Sequence, residues 1–167
     1  MQKSLLRSTI MLTGLSILIA CNSTNRLTLQ NKEKMFTVEQ IKAAHSKVKS
    51  GADFPAYIQE IKVLGVTHYE TYVSDGHIDY HGANDYTAKV PAKYAPMVIA
   101  ETAQSEQFKA ELLAHQQGKT DFLTFIKMCA TFGIEKWAIS MDKMTCTYYD
   151  KNENEILVEA IPQPVKA

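Results

Sequence analysis

Apolar residues recur along this chain first at helical spacing and then at every second position, and the whole progression is run through twice. Val38, Ile41, Ala44 and Val48 lie on one helical face, and Thr37 with Gln40 has the form of a capping box at its start. Ser50-Gly51 closes that helix. Asp53 can cap a second one, with the stripe Phe54, Tyr57, Ile58, Ile61 and Leu64 and with Gly65 as its left-handed exit. Period two governs Val66 to Val73. Asp75-Gly76 then reads as a two-residue hairpin turn, with His77 to His81 returning antiparallel. Asp85 to Val90 is a third, weaker strand stopped by Pro91.

The second run follows the same order. Helices are expected over Glu106 to Gln117 and Asp121 to Phe132, the latter with Phe122, Phe125, Ile126, Cys129 and Phe132 inward. Strands follow over Ile134 to Met141, Met144 to Tyr149 and Glu155 to Ile161. Asp53-Phe54, Tyr57-Ile58, Gly65-Val66, Tyr69 and Tyr80 are matched without a gap by Asp121-Phe122, Phe125-Ile126, Gly133-Ile134, Trp137 and Tyr148. Ala92 to Gln104 joins the copies, with a short helix possible around Met97, Val98 and Ile99. The expected fold is α+β: two tandem ααβββ repeats, about residues 35–92 and 104–163, forming one domain over 35–164. Its antiparallel sheet has helices packed on one face.

The correspondence also assigns the strand faces. Tyr69, Thr71 and Val73 match Trp137, Ile139 and Met141, while Ile78 and Tyr80 match Cys146 and Tyr148; these turn toward the helices. The other face carries His68, Glu70, Tyr72, His77, Asp79 and His81, then Lys136, Ala138, Ser140, Thr145, Thr147 and Tyr149. A turn at Asp75-Gly76 would set Tyr72 opposite Asp79 and Glu70 opposite His81. Glu70, Tyr72, His77, Asp79 and His81 are therefore the candidate ligand-binding residues. His77, Asp79 and His81 share one strand face about 6.6 Å apart, too flat a spacing to converge on a metal without a bulge or help from Glu70. A histidine here could act as general base with a carboxylate orienting it, yet no nucleophile is marked, so no catalytic residue, resident metal or cofactor is assigned. A solvated sheet face with favourable cross-strand pairs accounts for the same residues.

Gly118-Lys119-Thr120 has the ending of a phosphate-binding loop, but Leu113 stands where the leading glycine belongs and a helix precedes it. Helix closure and capping explain it better. Cys129 and Cys146 fall on inward positions, as free core thiols or as a helix-to-strand disulfide.

The first 20 residues have a different character. Lys3 and Arg7 flank the apolar run Ile10 to Ala20, too short for a comfortable span, which ends in Leu18-Ile19-Ala20-Cys21. That is the pattern of a lipoprotein signal, with Cys21 the residue to be lipidated and residues 21–34 a polar tether. The expected location is the cell envelope, attached to the membrane through acyl chains on Cys21. Asn22 favours the periplasmic face of the outer membrane in a Gram-negative cell. Translation from Met35 would instead give a cytoplasmic form. The chain has 18 basic and 18 acidic residues. Signal removal takes two bases and no acid, so no basic cluster marks a nucleic-acid partner. A small-molecule or protein partner is left open.

Gly65-Val66-Thr67-His68-Tyr69-Glu70-Thr71-Tyr72 and Asp75-Gly76-His77-Ile78-Asp79-Tyr80-His81-Gly82 resemble motifs of the YbcV-like family. His115-Gln116-Gln117-Gly118-Lys119-Thr120-Asp121-Phe122 and Cys146-Thr147-Tyr148-Tyr149-Asp150 strengthen the resemblance, which covers about Met35 to Pro164. Members of that family, of unknown function, are sometimes labelled phage envelope proteins. The resemblance brings no catalytic residues to carry over. The expected function is a non-enzymatic ligand- or protein-binding module of the envelope. The alternatives are a metal-dependent or His/carboxylate hydrolase on the same sheet face, and a prophage-derived structural or accessory protein.

Overall fold

The Thr37 hydroxyl accepts from Gln40 N at 3.2 Å while Gln40 Oε1 accepts from Thr37 N at 2.8 Å, so the first helix begins with both halves of a capping box. The computed structural model describes residues 35–49 and 51–164. The signal, Cys21, the tether and Ser50 lie outside the described residues. Helix α1 spans Val38–His45 and buries Ile41 and Ala44, ending before Val48. A 3-10 turn, Gly51–Asp53, leads into α2, Phe54–Leu64, with Pro55 in its first turn. Gly65 leaves α2 at φ +108°, where a side chain would be strained. Strands β1, Val66–Tyr72, β2, Ile78–Gly82, and β3, Thr87–Val90, complete the first half. The second comprises α3, Ser105–Gln116, α4, Phe122–Thr131, and strands β4, Lys136–Ser140, β5, Thr145–Tyr149, and β6, Glu155–Ala160.

The segment between β3 and α3 is not helical. Pro91 and Pro96 remove two donors and push the residues before them out of the α region. It is instead laced to its surroundings: Lys93 N and Met97 N donate to Asp75 O and Ser74 O at 2.8 and 2.7 Å. Ala100 N and Gln104 N donate to Ala130 O and Phe132 O at 3.0 and 3.1 Å.

All six strands join one antiparallel sheet in the order β3-β2-β1-β4-β5-β6. Its centre is β1 against β4, with Glu70 opposite Ala138, Tyr69 opposite Ile139 and Thr71 opposite Trp137. The α+β architecture with helices on one face is as expected. Tyr69, Val73, Tyr80, Ile139, Met141 and Tyr148 are buried beneath the helices, with Ile58 and Ile61 of α2 and Phe108 and Ile126 of α3 and α4 fully enclosed. Tyr57 and Tyr80 hydroxyls meet at 3.2 Å across this layer. Phe122 is an exception. It is half exposed because the stripe of α4 that reaches the core starts only at Phe125 and Ile126.

The β1–β2 turn is longer than a two-residue hairpin. Val73 is buried and its N–H donates to Glu135 O at 2.8 Å, which commits it to the β4 side. Tyr72 N donates to His77 O, and Gly76, at φ +75°, donates to Tyr72 O. Glu70 therefore faces Asp79, and His68 faces His81. The slip from the expected pairing is two residues, so every side chain keeps its face.

Candidate functional site

The face away from the helices carries three rows of side chains running across the strands. In the middle row Lys89, Asp79, Glu70, Ala138, Thr147 and Val158 lie opposite one another through all six strands. His81 and His68 share the row on one side, with Thr87 and Ser140 next to them. Tyr72 and Lys136 are paired in the row on the other side, followed by Tyr149. The five candidate residues are thus all on one face; His77, Tyr72 and Glu70 touch in sequence and Glu70 lies opposite Asp79, while His81 pairs with His68 in the row beyond.

His77 is engaged locally. Its Nδ1 and backbone N–H lie 2.5 and 3.0 Å from Asp75 Oδ1, and its ring stacks on Tyr72 at 4.1 Å. The backbone and side-chain hydrogen bonds from His77 hold the Asp75 carboxyl below the usual carboxylate range. Asp79 Oδ2 accepts from Lys89 Nζ at 2.5 Å. His81 stacks face to face on His68 with centroids 4.3 Å apart and planes 1° apart. The hydroxyls of Thr67 and Thr87 touch the two Nδ1 atoms at 3.1 and 3.2 Å and fix the ring orientations. Thr67 sits at a bulge between the Val66–Gly82 and His68–His81 pairs, which accommodates the stack. Burial, and then the neighbouring His81, lowers the His68 pKa below its ordinary value, partly opposed by Glu70.

Lys136 organises the other side of the face. Its Nζ lies 2.9 Å from both Glu70 Oε1 and Glu153 Oε2 and sits over the rings of Tyr72 and Tyr149 at 5.7 and 5.6 Å. Burial works against its charge, but the hydrogen bonds to Glu70 and Glu153 outweigh this and raise its pKa. Tyr72 donates to Glu70 Oε2 at 3.3 Å; burial, then the Glu70 charge, keeps its phenol protonated beyond the ordinary range. The strand parity puts Lys136 and His68 on this face without singling either out. Only the β1–β4 register brings Lys136 to Glu70, and nothing local in the sequence specifies that long-range pairing.

Two polar atoms here are shut off from solvent and lack a hydrogen-bond partner: Asp79 Oδ1 and His81 Nε2. Among the described residues no group of three or more His, Cys, Asp or Glu side chains is placed to hold a metal ion. His77, Asp79 and His81 instead engage Asp75, Lys89 and Thr87. Of two surface depressions, one of about 500 Å³ lies off this patch by Met97, Val98 and Lys127, and one of about 280 Å³, by Lys62, Val66 and Asp142, reaches its border at Thr67. Cys129 and Cys146 are free and buried; burial raises both thiols, Cys146 to about 12. They are packing residues rather than nucleophiles. No helix among the described residues is long and apolar enough to cross a membrane.

No curated protein matches the chain. The sequence model of one family, described as "Protein of unknown function (DUF1398)", matches residues 42–160 and so takes in all six strands. The chain belongs to that family.

Proposed function

We propose that the protein is an envelope-tethered, non-enzymatic binding module whose outer sheet face captures a protein segment rich in hydrogen-bond donors. The observation that carries this reading is the pair of unsatisfied atoms, Asp79 Oδ1 and His81 Nε2, on a face with no helix over it among the described residues. An enclosed polar atom without a partner costs about 1–3 kcal/mol, which a ligand supplying that partner returns as affinity. Lys89 covers Asp79 but is 69% exposed, so it can swing aside at little cost. A carboxylate oxygen calls for an N–H or O–H donor, and the imidazole can give or accept. The face is open, unlike the clefts that enclose small molecules, which favours an extended partner.

The lipobox pattern at Leu18 to Cys21 and the polar stretch after it support attachment through acyl chains on Cys21. The motif resemblance supports a YbcV-like membership within the family. The β1–β4 register supports an internal duplication: exchanging Tyr69 with Trp137 and Thr71 with Ile139 returns the same ladder. The test uses the full-length chain, recovered from membranes with its bound proteins after cross-linking. Asp79→Ala and His81→Ala should keep the wild-type circular dichroism and lose the captured partner, whereas Lys127→Ala, on α4, should retain it. Equal capture by all three variants removes the outer face from the binding account.

A further inference from the structure

The two edges of the sheet are finished differently. Strand β3 is four residues long, carries Lys89, is followed at once by Pro91 and has α1 packed beside it. Those are the devices by which an edge is kept from pairing. Strand β6 has neither the lysine nor the immediate proline, although α3 packs beside it as α1 does beside β3. Over six residues it reads Glu-Ile-Leu-Val-Glu-Ala, with no lysine or proline before Pro162, and Val158 at its middle is 49% exposed.

The hydrogen bonding of β6 says which of its backbone groups are unused. Ile161 N donates to Met144 O at 2.8 Å, and Thr145 lies opposite Ala160. In an antiparallel ladder this makes Thr145–Ala160 a non-hydrogen-bonded pair, so Glu159 and Leu157 exchange bonds with β5 while Val158 and Ala160 turn their N–H and C=O groups outward. The geometry points to a second copy of this chain as the occupant: we propose that β6 pairs antiparallel with β6 of another molecule about a twofold axis at Val158, continuing the sheet.

Register and charge select that arrangement. Residues directly opposite in an antiparallel pair point to the same face, so a twofold perpendicular to the sheet must lie midway between the two copies of one self-paired residue. Centred on Val158, Leu157 faces Glu159, Ile156 faces Ala160, and the two Val158 side chains meet. Centred on Leu157, Glu155 would oppose Glu159 on both sides of the axis, and like charges in that position repel. Glu159 is also held back by Gln116 at 2.9 and 3.1 Å. A symmetric contact of this kind closes on itself as a dimer. The proposal does not rest on the Asp79 face and stands or falls separately from it.

The test is oxidative cross-linking of the full-length chain in its own membranes with copper phenanthroline. Across a hydrogen-bonded antiparallel pair the Cα atoms lie about 5.5 Å apart, within the about 4.4–6.8 Å that a disulfide spans. Val158→Cys should give a disulfide-linked dimer several-fold above both the unmodified chain and Asn152→Cys, a solvent-exposed loop control. Glu155→Cys, which does not meet itself in this register, should match the controls. Val158→Lys, which sets two like charges on the axis, should shift the chain from dimer to monomer in sedimentation with unchanged circular dichroism. The proposal is overturned by Val158→Cys cross-linking no better than Asn152→Cys, by equal cross-linking at 155 and 158, by linkage to a different protein, or by a Val158→Lys chain that stays dimeric.

Discussion

The stacked His68–His81 pair shows how much a single side chain's surroundings decide here. Two parallel imidazoles 4.3 Å apart disfavour a double positive charge, and burial disfavours even one on His68. Its folded-state pKa therefore lies below 6.5, so the unfolded chain binds the proton first. Stability from this group is fully present above pH 6.5 and is lost as pH falls from there toward the lowered folded value. His45 is lowered too, by burial and then by Lys93, and contributes in the same direction. Thermal unfolding followed between about pH 7.5 and pH 5.5 should show a melting temperature that drops with acid, and less steeply in His68→Asn. The difference between the two curves isolates His68; identical slopes would mean the stack carries no charge penalty.

At the scale of the element, Lys136 is the tie between strands that are far apart in the chain. From β4 it reaches Glu70 of β1 and Glu153 in the turn between β5 and β6. Lys136→Ala strands a carboxylate that is only 25% exposed and should cost about 1–3 kcal/mol in chemical denaturation. Glu70→Gln combined with Lys136→Met should recover part of that loss, because no unpaired charge remains. The elements themselves are largely legible in the sequence: a capping box marks Thr37, Gly65 marks the exit of α2, and period two assigns the buried parity from Tyr69 to Tyr148. What local pattern could not supply was the partner of each residue. The β1–β2 register slipped because Val73 is claimed by Glu135, and Phe122 was placed inward because a helical stripe does not say at which turn it meets the core. For the same reason the expected pairings of Tyr72 with Asp79 and of Glu70 with His81 give way to Glu70 with Asp79 and His68 with His81.

Across the whole molecule, the helical layer and the inner sheet face seal off both cysteines of the domain. Cys129 is on α4 and Cys146 on β5, and neither is in a disulfide. Their raised thiol pKa values and burial predict that a thiol-exchange reagent at neutral pH leaves both untouched in the native chain and titrates both in denaturant. Rapid native reaction at either would mean that α4 lifts from the sheet far more readily than its enclosed Ile126 allows.

The order of the strands has a kinetic side. β1 meets β2, β2 meets β3, β4 meets β5 and β5 meets β6 across short turns, whereas Tyr72 finds Lys136 only after both helices of the second half have been threaded between them. Closing that long loop carries the largest entropic toll of any rung, so the middle of the sheet, its most protected ladder once made, is the hardest to nucleate. Until it forms, β1 and β4 are two bare edges on nascent half-sheets, and the interval before they meet is when this chain is most exposed to pairing with a stranger.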